Sequence, residues 1–80
     1  MTAQIRPGQW VRWLATDNPD APLAQWRLLT EVVPGWPRWL PTLVFADGFR
    51  VGMHRANLAV ADDNGRPLWE VSETKPEAAA

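Results

Sequence analysis

Short alternations of apolar and polar residues, cut every few positions by glycine or proline, run through this chain from Gln9 to Val71. Pro7-Gly8, Asn18-Pro19, Pro34-Gly35, Asp47-Gly48 and Asn64-Gly65 read as turns. The intervals between them are strand-sized. No stretch of 12 or more residues carries apolar side chains at i, i+3, i+4 and i+7, so no long amphipathic helix is expected. A first strand runs from Gln9 to Ala15, with Val11, Trp13 and Ala15 facing inward and Trp10, Arg12 and Leu14 outward. A polar loop from Thr16 to Pro22 follows. In a second strand, Gln25 to Val33, Trp26, Leu28, Thr30 and Val32 form the inward face, and Gln25, Arg27, Leu29 and Glu31 the outward one.

The next segment, Pro34-Gly35-Trp36-Pro37-Arg38-Trp39-Leu40-Pro41, has three prolines. It can neither pair as a central strand nor form a helix. It reads as a stiff, extended loop. Third and fourth strands, Thr42–Ala46 and Phe49–Met53, are joined by Asp47-Gly48, a strong signal for a two-residue type I′ hairpin. That turn places Val44, Ala46, Phe49 and Val51 on one face and pairs Phe45 with Arg50 on the other. Gly52 suggests a bulge or bend.

His54-Arg55-Ala56-Asn57 reads as a short turn, one turn of 3₁₀ helix, before a fifth strand from Leu58 to Ala61. After the turn Asp62-Asp63-Asn64-Gly65, Leu68 to Val71 returns as a short sixth strand. From Ser72 on there is nothing to pack, and the tail is expected to be disordered. The expected organisation is an N-terminal arm (1–6), one all-β domain (7–71) and an acidic tail (72–80).

Composition sharpens this reading. Six of 80 residues are tryptophan, with no tyrosine and two phenylalanines. So small a domain has too little interior for six indoles. Some must meet solvent, where tryptophan is enriched at binding sites. Trp13, Trp26 and Trp69 are the expected core members; Trp10, Trp36 and Trp39 are the expected exposed ones. Without cysteine, neither disulfides nor a thiolate metal site can support the fold. No apolar segment follows Met1 to suggest a secretory signal, and no apolar run reaches the ~18 residues of a membrane span. A cytoplasmic protein with no membrane partner is expected. Net charge is −1. Through Trp69, seven arginines face six carboxylates; beyond it, Lys75 faces Glu70, Glu73 and Glu77. A near-neutral body and an acidic tail lack the basic footprint of a nucleic-acid backbone binder. Arginine in place of lysine, with abundant alanine and proline, is also the composition of a GC-rich bacterial genome.

Five or six short antiparallel strands with a Gly-bounded entry fit a small, nearly closed barrel. In residues 7–61 the chain resembles the Src-homology-3-like barrels, including the Tudor and KOW groups. The resemblance rests on Pro7-Gly8-Gln9-Trp10-Val11-Arg12, similar to their opening strand, on Phe45-Ala46-Asp47-Gly48, similar to their third-strand end and tight turn, and on the short turn before Leu58-Ala59-Val60. The opening also looks like that of the plasmid-borne type II dihydrofolate reductase, with Gly8, Val11 and Arg12 matching. That enzyme's ligand-binding strand carries Val-Gln-Ile-Tyr, whereas this chain has Val51-Gly52-Met53-His54, so its activity is not implied.

Catalytic chemistry finds little support. The chain has one serine, Ser72, one histidine, His54, and no glycine-rich phosphate loop. His54 beside Arg55 has the makings of a general base or phosphate contact, but reads first as a solvated turn residue. Asp62-Asp63-Asn64-Gly65 resembles part of a calcium loop without its closing glutamate, and reads as a turn. No cofactor or metal is expected. The aromatic and basic residues point instead to recognition, with Trp10, Arg12, Trp36, Arg38 and Trp39 as the expected face and Arg50, His54 and Arg55 as secondary contacts. Such a face can stack on a Pro-rich peptide, hold a methylated cation, or stack unpaired bases beside arginine. A second reading has Trp36 and Trp39 capping an open barrel end. The leading expectation is a non-enzymatic module with a protein or peptide partner; a nucleic-acid-binding barrel and a self-associating subunit are the alternatives.

Overall fold

A computed structural model describes residues 3–79. Five strands are present: β1 (Trp10–Trp13), β2 (Arg27–Val33), β3 (Thr42–Phe45), β4 (Arg50–Gly52) and β5 (Trp69–Ser72). They form one sheet in the order β4-β3-β2-β1-β5, and every neighbouring pair is antiparallel. Two short 3₁₀ turns, Pro22–Ala24 and Arg55–Leu58, complete the regular structure, with no α-helix among the described residues. No helix of the described residues is long and apolar enough to cross a membrane. The expected barrel is an open sheet here, because its edge strands β4 and β5 do not pair with each other.

The core is built from Ile5, Val11, Leu29, Leu43, Phe45, Leu58 and Trp69. Trp69 is 2 % exposed and meets Trp13 edge-on at 4.8 Å between ring centroids. Its indole N–H donates to the Asn57 carbonyl at 2.7 Å, so the one polar atom of a large buried side chain is satisfied. Trp13 packs half-buried against this core. Both therefore serve as the sequence suggests.

Trp26 does not. It lies just before β2 and outside the core, and the inward residue of that strand is Leu29, which is 0 % exposed. The cause is a β-bulge. Leu29 pairs with Phe45 and Glu31 with Val44, so Thr30 and Glu31 together oppose a single residue. Beyond the bulge Val32 pairs with Leu43. The extra residue lets Leu29 and Val32 share the core face, which a regular period of two forbids. The Thr30 hydroxyl donates to the Val44 carbonyl at 2.9 Å, securing the bulge. The bulge lies here and not at Gly52, which pairs in regular register with Thr42.

The hairpin is corrected by the same arithmetic. The Gly48 N–H donates to the Phe45 carbonyl at 3.0 Å, and the Phe45 N–H to the Phe49 carbonyl at 2.9 Å. Gly48 has φ of +89°, and Asp47 does not have positive φ. The connection is thus a turn through Ala46 and Asp47 followed by a left-handed glycine, a three-residue loop in place of a two-residue type I′ turn. One added loop residue turns Phe45 inward, where it meets Phe49 at 5.9 Å, and leaves Ala46 exposed.

The expected fifth strand at Leu58–Ala61 is reduced to two isolated bridges, Gln4 with Ala59 and Ala61 with Pro67. The first of these holds the N-terminal arm. Ile5 donates to Leu58 at 3.0 Å, Val60 donates to Ala3 at 2.8 Å, and Ile5 is in the core. The expected tail is also different. Ser72 belongs to β5, and Glu73 accepts from the side-chain amide of Gln9 at 3.0 Å and approaches Arg6 at 3.6 Å. Beyond Glu73, Lys75 reaches the Trp10 ring and Ala79 is only 9 % exposed, where a disordered segment was expected.

Candidate functional site

The loop between β2 and β3, residues 34–41, is closed at its base by backbone. Gly35 lies against the Leu40 carbonyl so tightly that a Cβ there would overlap it. The Leu40 N–H donates to the Pro37 carbonyl at 2.9 Å, making a turn through Arg38 and Trp39. The Trp36–Pro37 peptide is cis. Two further hydrogen bonds tie the loop to the chain after β4: Met53 donates to Pro41 at 3.0 Å and Arg55 to Trp39 at 2.8 Å. A pinched base with two lateral ties makes a preorganised platform.

The platform presents its aromatics outward. Trp36 is 88 % exposed and Trp39 is 50 % exposed. The Trp39 ring sits over the His54 imidazole, with centroids 5.4 Å apart and planes tilted by 31°. His54 Nδ1 accepts the Ala56 N–H at 3.0 Å and so caps the second 3₁₀ turn. Arg38 and Arg55 are exposed around these rings.

Ion pairing is uneven across the molecule. Among the described residues, the three ion pairs join Arg6 to Glu73, Arg12 to Glu70 and Arg27 to Asp47. Arg38, Arg50, Arg55 and Arg66 have no carboxylate partner among them, and Arg38 and Arg55 lie beside the exposed rings. Arg50 stands on the outward face of β4, opposite Val44. Arg55 also borders a hollow of ≈ 560 Å³ that includes Asp62 and Asp63. Asp62 itself is engaged locally, accepting from Asn64 and Arg66 at 2.9 Å, as a turn requires.

Trp10 and Arg12 are elsewhere. Trp10 pairs with Leu28 near the start of β2, whereas the loop leaves from Val33 at its end. Five strand steps separate those positions, roughly 16 Å at about 3.3 Å per residue. Arg12 is held between the Glu70 carboxylate and the Trp26 ring, whose centroid is 5.3 Å from the guanidinium carbon. The face expected from sequence thus divides in two: Trp36, Arg38, Trp39, His54 and Arg55 on one side, Trp10 and Arg12 on the other. Trp26 belongs with the second group. Nothing in the sequence marked it so, because its alternation matched a core position.

Trp10, Trp26 and Leu28 line a groove of ≈ 230 Å³, and Lys75 and Ala79 of the tail form part of its wall. Among the described residues no three His, Asp or Glu side chains are grouped to hold a metal ion.

Comparison with known protein families, curated proteins and solved structures finds no match for this chain.

Proposed function

We propose that this chain is a non-enzymatic recognition module of the Src-homology-3-like class, binding a protein or peptide partner through the loop 34–41 and the adjoining His54–Arg55 turn. The observation that carries the reading is Trp36, an indole 88 % exposed on a loop whose base is closed by backbone contact. Leaving so large an apolar side chain in water is unfavourable unless something covers it. The sheet order and the 3₁₀ turn between β4 and the last strand support the fold class.

Charge narrows the partner. Arg38 and Arg55 beside the rings disfavour a methylated cation and favour an acidic, proline-bearing peptide, which stacks on indole while pairing its carboxylates. A nucleic-acid partner is the second reading, favoured by the same unpaired arginines beside stacking surfaces. Titration of tryptophan fluorescence with a Pro/Glu peptide and with oligothymidylate at several salt concentrations separates them. Saturable peptide binding that is lost in Trp36→Ala supports the module. Tighter oligothymidylate binding that falls steeply with salt assigns the loop to nucleic acid instead.

A further inference from the structure

The groove on the outer face of β1 and β2 is larger and more aromatic than the tail beside it needs. Its walls include the half-buried indoles of Trp10 and Trp26, Leu28, and the paired side chains of Arg27 and Asp47, and it measures ≈ 230 Å³. Part of its wall is this chain's own segment 75–79, and the groove stays open with that segment in place. Lys75 places its ammonium 5.8 Å from the Trp10 ring centroid, and Ala79 sets a single methyl against the groove.

The tail is held there weakly. Among the described residues, its last side-chain hydrogen bonds to the rest of the domain are from Gln9 to Glu73 and between the Ser72 hydroxyl and the Thr74 backbone. Beyond Thr74, the backbone hydrogen bond among the described residues is internal, from Ala79 to Pro76 at 3.0 Å. One exposed cation–π contact stabilises by little, and an alanine methyl adds little more. Ordering five residues opposes both. The local charge does not oppose a cation: Arg27 in the wall of the groove is neutralised by Asp47, and Arg12 nearby by Glu70.

We propose that the Trp10–Trp26 groove is a second recognition site, taking a basic, proline-containing peptide segment from a partner, and that residues 75–79 line part of it in cis as a loosely held stand-in. The cation sits over Trp10, and a residue larger than alanine fills the space by Trp26. This site is separate from the platform of loop 34–41 and uses the opposite charge preference. The arrangement makes the tail a competitor whose local concentration a partner must overcome.

The test uses the 80-residue chain and a synthetic peptide, Thr-Lys-Pro-Pro-Ala-Leu, read by the indole N–H signals of all six tryptophans. Ala79→Glu places a charge where the methyl is buried and expels the tail. Trp10 and Trp26 signals then shift before any peptide is added, while the cooperative melting transition persists. The peptide binds this variant about fivefold or more tighter than it binds the parent, with saturable shifts confined to Trp10 and Trp26. Lys75→Ala, which removes only the cis cation, tightens peptide binding by roughly two- to fivefold and serves if Ala79→Glu does not fold. A peptide with glutamate in place of lysine binds at least about threefold more weakly. The proposal is overturned by absence of saturable binding to both variants, by equal binding of the lysine and glutamate peptides, or by shifts at Trp36 and Trp39 in place of Trp10 and Trp26.

Discussion

The backbone of Gly35 is packed on the main-chain carbonyl of Leu40. A Cβ at position 35 would overlap that carbonyl and stand 3.2 Å from Pro41 Cα. Both obstacles are backbone, so no rotamer change relieves them. Gly35→Ala is expected to destabilise by about 1–3 kcal/mol and to open the base of the loop. Denaturant unfolding with parallel partner titration measures both. A variant of unchanged stability would mean that the loop base is free to widen, and the preorganisation argument would fail with it.

The inward parity of β2 has an equally direct test. Leu28 and Leu29 are adjacent and chemically identical, yet only Leu29 is fully buried, while Leu28 lies under the tail on the outer face. Leu29→Ala is expected to cost about 2–5 kcal/mol, as for a buried leucine whose site cannot collapse. Leu28→Ala should cost less than about 1.5 kcal/mol, since the groove is partly solvated. The reverse order would restore the regular alternation and remove the bulge at Thr30.

That pair also shows where sequence reading stops. The strand at Arg27–Val33 was legible from its apolar and β-branched residues. Its facing was not, because a bulge adds one residue without any glycine or proline to mark it, and one residue inverts every side chain before it. Asp47-Gly48 announced a hairpin, but Asp-Gly also suits a three-residue loop, and that single residue moved Phe45 from the outer face to the core. Ile5 and the tail were missed for another reason. Each contributes one or two long-range contacts, Ile5 with Leu58 and Glu73 with Gln9, which leave no periodic trace. The short turn at His54–Asn57 and the exposure of Trp36 and Trp39 were legible, since both follow from local composition: turn-forming residues in one case, proline density in the other.

The three-residue hairpin makes a prediction of its own. Gly48 alone of its loop has positive φ, at +89°. Gly48→Ala is expected to cost about 1–2 kcal/mol, the penalty of a Cβ in the left-handed region. Asp47 behaves differently from a residue of a type I′ turn. Its backbone carries no such demand, and its carboxylate caps the Phe49 N–H at 3.0 Å while pairing with Arg27. Asp47→Asn should therefore retain most stability, and Asp47→Ala should cost about 1 kcal/mol for the lost hydrogen bonds. Thermal melts of the three variants check the ranking. A stable Gly48→Ala would show that the loop adopts another turn.

Binding and stability separate most cleanly at the tryptophans. Trp69 is a core side chain with a buried hydrogen bond, so Trp69→Ala should cost about 3–5 kcal/mol and threaten folding outright. Trp26 lies outside the core, and Trp26→Ala should cost under about 2 kcal/mol, chiefly the contact with the Arg12 guanidinium and partial burial. Trp36 makes almost no burial, so Trp36→Ala should leave the unfolding free energy within about 0.5 kcal/mol of the parent and the melting temperature nearly unchanged. Trp39→Ala loses the stacking on His54 and falls between the two. Partner affinity should follow the opposite order for the loop pair, with Trp36→Ala and Trp39→Ala each weakening peptide binding by about 2 kcal/mol or more, as central aromatic contacts do. Melting temperature and affinity measured on the same four proteins decide the matter. If Trp36→Ala destabilises the fold as much as Trp69→Ala, its indole is a structural plug, and the recognition face must be sought in the Trp10–Trp26 groove instead.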